Sequence, residues 1–156
     1  AIMVARGEIM EKKVTIRKAE KSDAEMIWQC NCEGLGYTFA LEDTIRRVHD
    51  IMDRFPQDLF LVACVDDQPA GYIHATDYEC TYMEAYKDIE ELAVLPGYQG
   101  YGIGRKLLNE AEAWARECGV AGVRLISGFA RTGAHQFYLK CGYTHRKDHK
   151  NFVKNF

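Results

Sequence analysis

The sequence lacks any apolar run close to the roughly 18 residues that a membrane-spanning helix requires. Its opening run, AIMVA, is too short for the hydrophobic core of a signal peptide, and the charged residues Arg6 and Glu8 follow it. An excess of positive charge is also absent, because 20 basic residues face 23 acidic ones and the formal net charge is −3. We therefore predict neither a membrane nor a nucleic acid as a partner.

The spacings of a zinc site are missing too, since the chain contains neither Cys-x-x-Cys nor His-Glu-x-x-His. We therefore predict no bound metal. Cys80 and Cys141 have no identifiable His and Asn partners, which argues against covalent catalysis. Four of the six cysteines lie in apolar or helical patterns, which indicates reduced, packed thiols and a cytoplasmic setting.

The chain has 156 residues, of which 47% are hydrophobic and 28% charged, a balance typical of one globular domain. No repeat, low-complexity stretch or linker divides it. Residues 1–12 show no periodicity and are interpreted as a disordered leader or expression remnant. Residues 13–156 are expected to form the folded domain.

Hydrophobic patterns predict an α/β fold in the order strand, two helices, three strands, helix, strand, helix and final strands. We expect a capping box of Ser22 and Glu25 to start the first helix. A hairpin in the middle of the chain requires antiparallel pairing, so a mixed α/β sandwich fits better than a doubly wound parallel sheet. The expected elements are strands at 14–17, 59–65, 70–78, 89–95 and 122–127, helices at 22–34, 41–55, 102–118 and 132–141, and a final hairpin over 143–156.

The most informative segment is LAVLPGYQGYGIGRKLL, over Leu92–Leu108. A buried strand leads through three alternating glycines into a helix that opens with two basic residues; these are Gly100, Gly102, Gly104, Arg105 and Lys106. Consecutive N–H groups in such a turn can converge on one point, and the helix N-terminus adds partial positive charge. The pattern is typical of a phosphate or pyrophosphate site, with a ligand-free connection as the alternative.

Two common phosphate-binding motifs do not fit this segment. A Walker A loop ends in Gly-Lys-Ser/Thr, whereas Gly104 is followed by Arg105, Lys106 and Leu107. The dinucleotide fingerprint needs Gly-x-Gly-x-x-Gly, whereas these glycines alternate strictly. Neither nucleotide hydrolysis nor dinucleotide chemistry is predicted.

The pattern Q-x-x-G-x-G over Gln99–Gly104, after a strand ending in Leu-Ala-Val, resembles the acetyl-CoA motif of the GNAT N-acetyltransferase superfamily. A second match, R-x-x-A-H-x-F-Y-x-x-x-G-Y, lies over Arg131–Tyr143. The resemblance extends from Val14 onward. It implies a single N-acetyltransferase domain over 13–156, with a central mixed, mostly antiparallel sheet flanked by about four helices. It is also compatible with a homodimer.

The same resemblance implies acetyl-CoA as co-substrate and no metal. The strand backbone would pair with the pantetheine arm, and the N–H groups of the glycine turn would hold the pyrophosphate. The family often has Asn in place of Arg131, and an arginine there could instead pair with a cofactor phosphate. The implied cofactor-binding residues are Leu92, Ala93, Val94, Gln99, Gly100, Tyr101, Gly102, Ile103, Gly104, Arg105, Arg131 and Tyr138.

Acetyl transfer to an amine needs a proton acceptor, because an amine with a pKa near 10 is mostly protonated at neutral pH. It also needs a donor for the oxyanion and a proton for the leaving thiolate. We assign the oxyanion to the Val94 N–H. The resemblance implies that Tyr138 lies near the thioester sulfur as general acid.

Strict strand alternation puts Asp88 and Glu90 on the face of Val94, and Glu91 on the opposite face. By resemblance, Glu90 occupies the position of the proton-accepting glutamate in polyamine-type members, and Asp88 that of the histone-type members. Both stay open as the catalytic base, and a β-bulge would reverse the face assignment.

Residues 77–91 are rich in acids and tyrosines and contain one cation, Lys87. Such a surface attracts a cationic amine. We therefore predict direct attack by the primary amine of a small cationic molecule in a ternary complex. The alternatives are a protein N-terminal or lysine acetyltransferase and a non-catalytic acyl-CoA-binding module.

Overall fold

The computed structural model of the chain describes residues 12–156. Apart from Lys12, the leader predicted over residues 1–12 lies outside them. The described residues belong to two compact units, one that ends at Leu125 and one over Ile126–Phe156. Within residues 12–156, no helix has the length and apolar character needed to cross a membrane.

The first unit contains a five-stranded sheet in the order β1-β2-β3-β4-β5. Its strands are β1 (Val14–Lys18), β2 (Leu59–Val65), β3 (Gln68–Tyr78), β4 (Tyr86–Val94) and β5 (Val123–Leu125). Its α-helices are α1 (Ala24–Gln29), α2 (Leu41–Arg54) and α3 (Ile103–Glu117). All strand pairs are antiparallel except β4 with β5, which is parallel. The predicted mixed, mostly antiparallel sheet is confirmed.

The β2–β3 hairpin forms where the apolar pattern is interrupted by two aspartates. Asp66 and Asp67 have φ angles of 47° and 65°. Tight hairpin turns need positive φ at both central residues, and aspartate tolerates this conformation better than most side chains. The turn sets Val65 opposite Gln68, and a shift in register between Cys64 and Ala63 then sets Ala63 opposite Gly71.

The first helix begins differently from the expectation. A 3-10 turn over Lys21–Asp23 precedes α1, and its capping box joins Glu20 and Asp23 instead of Ser22 and Glu25. Asp23 takes this role because it is buried and accepts two N–H bonds from Arg17 of β1, each 2.8 Å long. The pair with Arg17 positions the start of the helix against the first strand.

Two sets of helices cover the two faces of the sheet. Ile27 of α1 and Val48 of α2 pack in one cluster with Tyr72 of β3. On the other face, α3 buries its apolar stripe, and a Cβ atom added at Gly71 of β3 would lie 3.2 Å from Ile103. The helical spacing that predicted α3 is therefore confirmed.

The second unit contains α4 (Thr132–Lys140). The hairpin predicted over 143–156 is wrong, because the described residues there form neither strand nor helix. The stretch Thr144–Asn151 has no apolar side chain, so it offers no alternating face to bury. Phe152 and Val153 beyond it are 85% and 74% exposed.

Candidate active site

Strand β4 contains a β-bulge at Glu90–Glu91. His74 of β3 lies opposite Glu91, while the next residue, Ala75, lies opposite Ile89. Glu90 is therefore the extra residue of the bulge and has no partner across the ladder. A bulge of this kind interrupts the alternation of side chains along the strand.

The bulge makes the predicted face assignment wrong. Thr76 Oγ1 donates a hydrogen bond of 3.0 Å to Glu90, and His74, on the same face of β3, contacts Glu91 at 3.0 Å. Glu90 and Glu91 thus share one face, which α1 and α2 cover. Val94 lies opposite Gly71 and points to the other face, which α3 covers.

Asp88 shares the face of Glu90, as predicted, since it lies opposite Thr76. Arg124 Nη1 of β5 is 3.2 Å from Asp88 Oδ1. Burial raises the pKa of Asp88 to about 6; the Arg124 charge opposes this shift, and the neighbouring Glu90 carboxylate adds to it. A carboxylate that titrates near neutral pH is suited to proton transfer.

Two cavities open on this carboxylate-bearing face. Their volumes are about 220 Å³ and 430 Å³. Both are lined by Arg47, Ile51, His74 and Glu91, and Glu90 also lines the larger one. Space on this scale suits a small molecule.

His74 links the two cavities and is only 5% exposed. Its Nδ1 is 3.0 Å from Glu91 Oε2, and its Nε2 is 2.9 Å from Asp58 Oδ2. Burial lowers the pKa of His74, but the hydrogen bonds and charges of Glu91 and Asp58 outweigh it and hold that pKa above its usual value. Sequence reasoning missed this residue; its one signal is a polar side chain inside the apolar strand pattern AGYIHAT.

The carboxylates around His74 lie at hydrogen-bonding distance from its ring nitrogens. No group of three or more His, Cys, Asp or Glu side chains within residues 12–156 is arranged to hold a metal ion.

The edge of β4 that faces β5 is only partly occupied. The two strands pair through Lys87–Ile89 and Val123–Leu125. In the described part of the chain, no strand therefore lies beside Leu92–Val94 on that edge. Leu95 N–H donates to Ala70 O of β3 at 2.8 Å, so the preceding N–H, that of Val94, points to the open edge.

The glycine turn joins this strand to α3, as predicted. Gly100 and Gly102 have φ angles of 92° and 72°, and a Cβ atom at either would meet nothing within 4 Å. The glycines are therefore needed for their backbone conformation and not for space. Gly102 caps α3 with no side-chain hydrogen bond, which leaves the N–H groups of the first turn available to an anion.

In the second unit, Tyr138 of α4 packs edge-to-face on Phe137 and Tyr143, with ring centroids 5.2 Å and 5.7 Å away. Burial raises the pKa of Tyr138 to about 12; Cys141 adds to the shift, and Arg131 opposes it. The phenol is therefore protonated at neutral pH, the state that a proton donor requires.

Comparisons with known proteins agree with this geometry. The model of the acetyltransferase (GNAT) family matches residues 24–143. An aminoalkylphosphonate N-acetyltransferase from Salmonella typhimurium is 42% identical over 98% of both chains. An aminoglycoside N(6')-acetyltransferase type 1 from Stenotrophomonas maltophilia is 27% identical over 83% of this chain and 85% of its own. The solved structure of an aminoglycoside N-acetyltransferase in complex with CoA superposes with a TM-score of 0.82 at 14% identity, covering 96% of this chain and 99% of that one.

The family match covers more than half of the chain, so the protein belongs to the GNAT acetyltransferase family. It is an N-acetyltransferase that acts on amines. The resemblance seen in the glycine turn and in the second motif is thereby confirmed.

Proposed function

We propose that this enzyme transfers the acetyl group of acetyl-CoA to the primary amine of a small molecule, by direct attack in a ternary complex. The observation that carries the proposal is the shape of β4. Its bulge turns Glu90 and Glu91 toward the cavities, while its open edge at Leu92–Val94 leads directly to the glycine turn.

The open edge suits the pantetheine arm, which can pair with main-chain groups as an added strand would. The N–H groups from Gln99 through Arg105 would hold the pyrophosphate at the N-terminus of α3. Arg131 would pair with a cofactor phosphate. The solved relative in complex with CoA supports the choice of donor.

The proposed chemistry uses one carboxylate and one amide. Glu90 accepts the proton of the acceptor ammonium, directly or through a water, because it lines the larger cavity. Asp88 is the alternative base, supported by its raised pKa. The Val94 N–H stabilises the oxyanion of the tetrahedral intermediate, since that N–H is directed to the open edge.

The departing thiolate then needs a proton, and we assign this step to Tyr138. A phenol with a pKa raised to about 12 keeps its proton at neutral pH and can give it to a thiolate. The amine ends acetylated and coenzyme A leaves as the thiol. Of the two protons that the ammonium group loses, one passes through Glu90 to solvent, and the one lost from nitrogen after attack balances the proton given to sulfur.

For the acceptor, the carboxylates of the bulge support binding of an ammonium group. The 42% identical relative is named for aminoalkylphosphonates, and we propose that the acceptor here is also a short aminoalkyl compound. We further propose a cytoplasmic location, because the six cysteines, all within the described residues, are free thiols.

The test is a thiol-release assay with acetyl-CoA against aminoalkylphosphonates, polyamines, aminoglycosides and peptides, together with calorimetry of coenzyme A binding. We expect binding and turnover with short aminoalkyl acceptors. Turnover confined to peptides would replace the small-molecule proposal with protein acetylation. Binding of coenzyme A without turnover of any acceptor would indicate a non-catalytic module.

A further inference from the structure

Among residues 12–156, Arg47 is the only arginine or lysine that lines the two cavities. It lies on α2, across from the sheet that carries the carboxylates. Because it borders both cavities, a molecule that occupies either one lies beside Arg47.

The other charged side chains that line the cavities are mostly acidic. The acidic ones are Asp58, Asp77, Glu90 and Glu91. The remaining basic group, His74, is held between Asp58 and Glu91 at 2.9 Å and 3.0 Å, so these carboxylates balance its charge. Within residues 12–156, the cavities therefore have carboxylates on and beside the sheet and one arginine on α2.

The guanidinium of Arg47 is only partly engaged. Its Nη1 donates to Asp50 Oδ2 at 2.7 Å, one turn along the helix. Asp50 also accepts a bond from Arg54 at 3.3 Å, so its charge is shared between two cations. A guanidinium has five N–H donors, and no other hydrogen bond of Arg47 is formed with the residues over 12–156.

We propose that Arg47 binds an oxyanion at the far end of the acceptor, and hence that the acceptor is an aminoalkyl oxyanion, a phosphonate or a carboxylate. Its ammonium group lies at the Glu90–Glu91 wall. A planar guanidinium matches the oxygens of such a group by paired, charge-assisted hydrogen bonds. An amine that carries no oxyanion leaves the remaining N–H donors of Arg47 unused, and a polyamine is repelled by the guanidinium charge. The inference rests on the proposed function, because it names the acceptor class of the same site.

The chain offers a matched control on the same helix. Arg46 pairs with Asp43 at 3.3 Å and lines neither cavity. Each of the variants Arg47→Gln and Arg46→Gln removes one helix arginine, so their effects on overall charge are equal. Arg47→Lys keeps the charge but loses the paired geometry.

Turnover is measured with three acceptors of equal chain length: an aminoalkylphosphonate, the corresponding amino carboxylate and the amino alcohol. Arg47→Gln is expected to lower kcat/KM by roughly 10- to 100-fold for the oxyanion acceptors, mainly through KM, which is the range for hydrogen bonds to charged groups. Arg47→Lys should recover part of this loss. Turnover of the amino alcohol should change little in Arg47→Gln. Arg46→Gln should leave the turnover of all three acceptors unchanged. The ratio of phosphonate to carboxylate turnover identifies the oxyanion.

A second measurement separates this inference from the transferase proposal. Calorimetry follows binding of the aminoalkylphosphonate to each protein saturated with coenzyme A, after a thermal melt has confirmed folding. Binding that weakens in Arg47→Gln but not in Arg46→Gln supports the inference even if no acetyl transfer occurs, in which case the transferase proposal fails alone. Equal binding by wild type and Arg47→Gln, or a wild-type preference for the amino alcohol, overturns the role of Arg47.

Discussion

Replacing His74 by glutamine should destabilise the protein in a way that depends on pH. The substitution removes the cation that lies between Asp58 and Glu91, and the Asp58 side chain is only 7% exposed. Breaking a buried ion pair by removing one partner costs about 3–5 kcal/mol. Because the Glu91 side chain is 34% exposed and partly solvated, we expect a value near the lower end, about 3 kcal/mol.

The sign of the pH effect follows from the raised pKa of His74. The protonated ring is favoured in the folded state, so its stabilisation is fully present below the unfolded-state pKa of about 6.5. It is lost as the pH rises through the higher folded-state pKa. The free-energy gap between wild type and His74→Gln should therefore be largest in mild acid and shrink toward alkaline pH.

Urea unfolding at several pH values from mild acid to mild alkali measures this gap, with His149→Gln as control because His149 is exposed. A loss of about 3 kcal/mol corresponds to a fall in Tm of roughly 6–12 °C for a chain of this size. Parallel stability curves for wild type and His74→Gln across the pH range would refute a charged His74. The control should follow the wild-type curve.

Three further substitutions test the proposed chemistry. Glu90→Gln should lower kcat by about 100-fold or more while the Kd of coenzyme A stays constant. The control Glu110→Gln, at an exposed position of α3, should have no effect. An unchanged pH–rate profile in Glu90→Gln would assign the role of base to Asp88. Gly102→Ala should weaken coenzyme A binding in calorimetry, because a φ of 72° costs an alanine about 1–2 kcal/mol. The control Gly97→Ala should bind coenzyme A normally, since Gly97 has an ordinary φ and open space around it. Equal affinities of the two variants would show that the turn does not hold the cofactor. Tyr138→Phe should reduce kcat with acetyl-CoA and leave its Kd unchanged, and full activity would remove Tyr138 from the mechanism.

The parts of the fold that depend on local sequence could be predicted. The α3 stripe, the aspartate turn of the hairpin and the glycine turn each follow from residues that are neighbours along the chain. The start of α1 could not, because Asp23 is positioned by Arg17 of β1. The final hairpin was predicted from too few apolar residues.

The candidate site shows the same division. The sequence pattern identified Asp88 and Glu90 as candidate carboxylates. It could not predict which face of β4 each side chain lies on, because the bulge arises from the register with β3. The role of His74 was hidden as well, since its partners Asp58 and Glu91 are 16 and 17 residues away along the chain. Contacts of this kind require the paired strands to be in place.

The extra residue in β4 makes the scaffold and its chemistry separable. Deleting Glu90 would let β3 and β4 form an uninterrupted ladder, and the remaining positions from Glu91 to Val94 would keep their partners. Such a shortened chain keeps the paired strands and lacks the carboxylate that we propose as the base. The open edge and the glycine turn would be left in place, which makes the shortened chain a means of crystallising the protein with an intact acetyl donor.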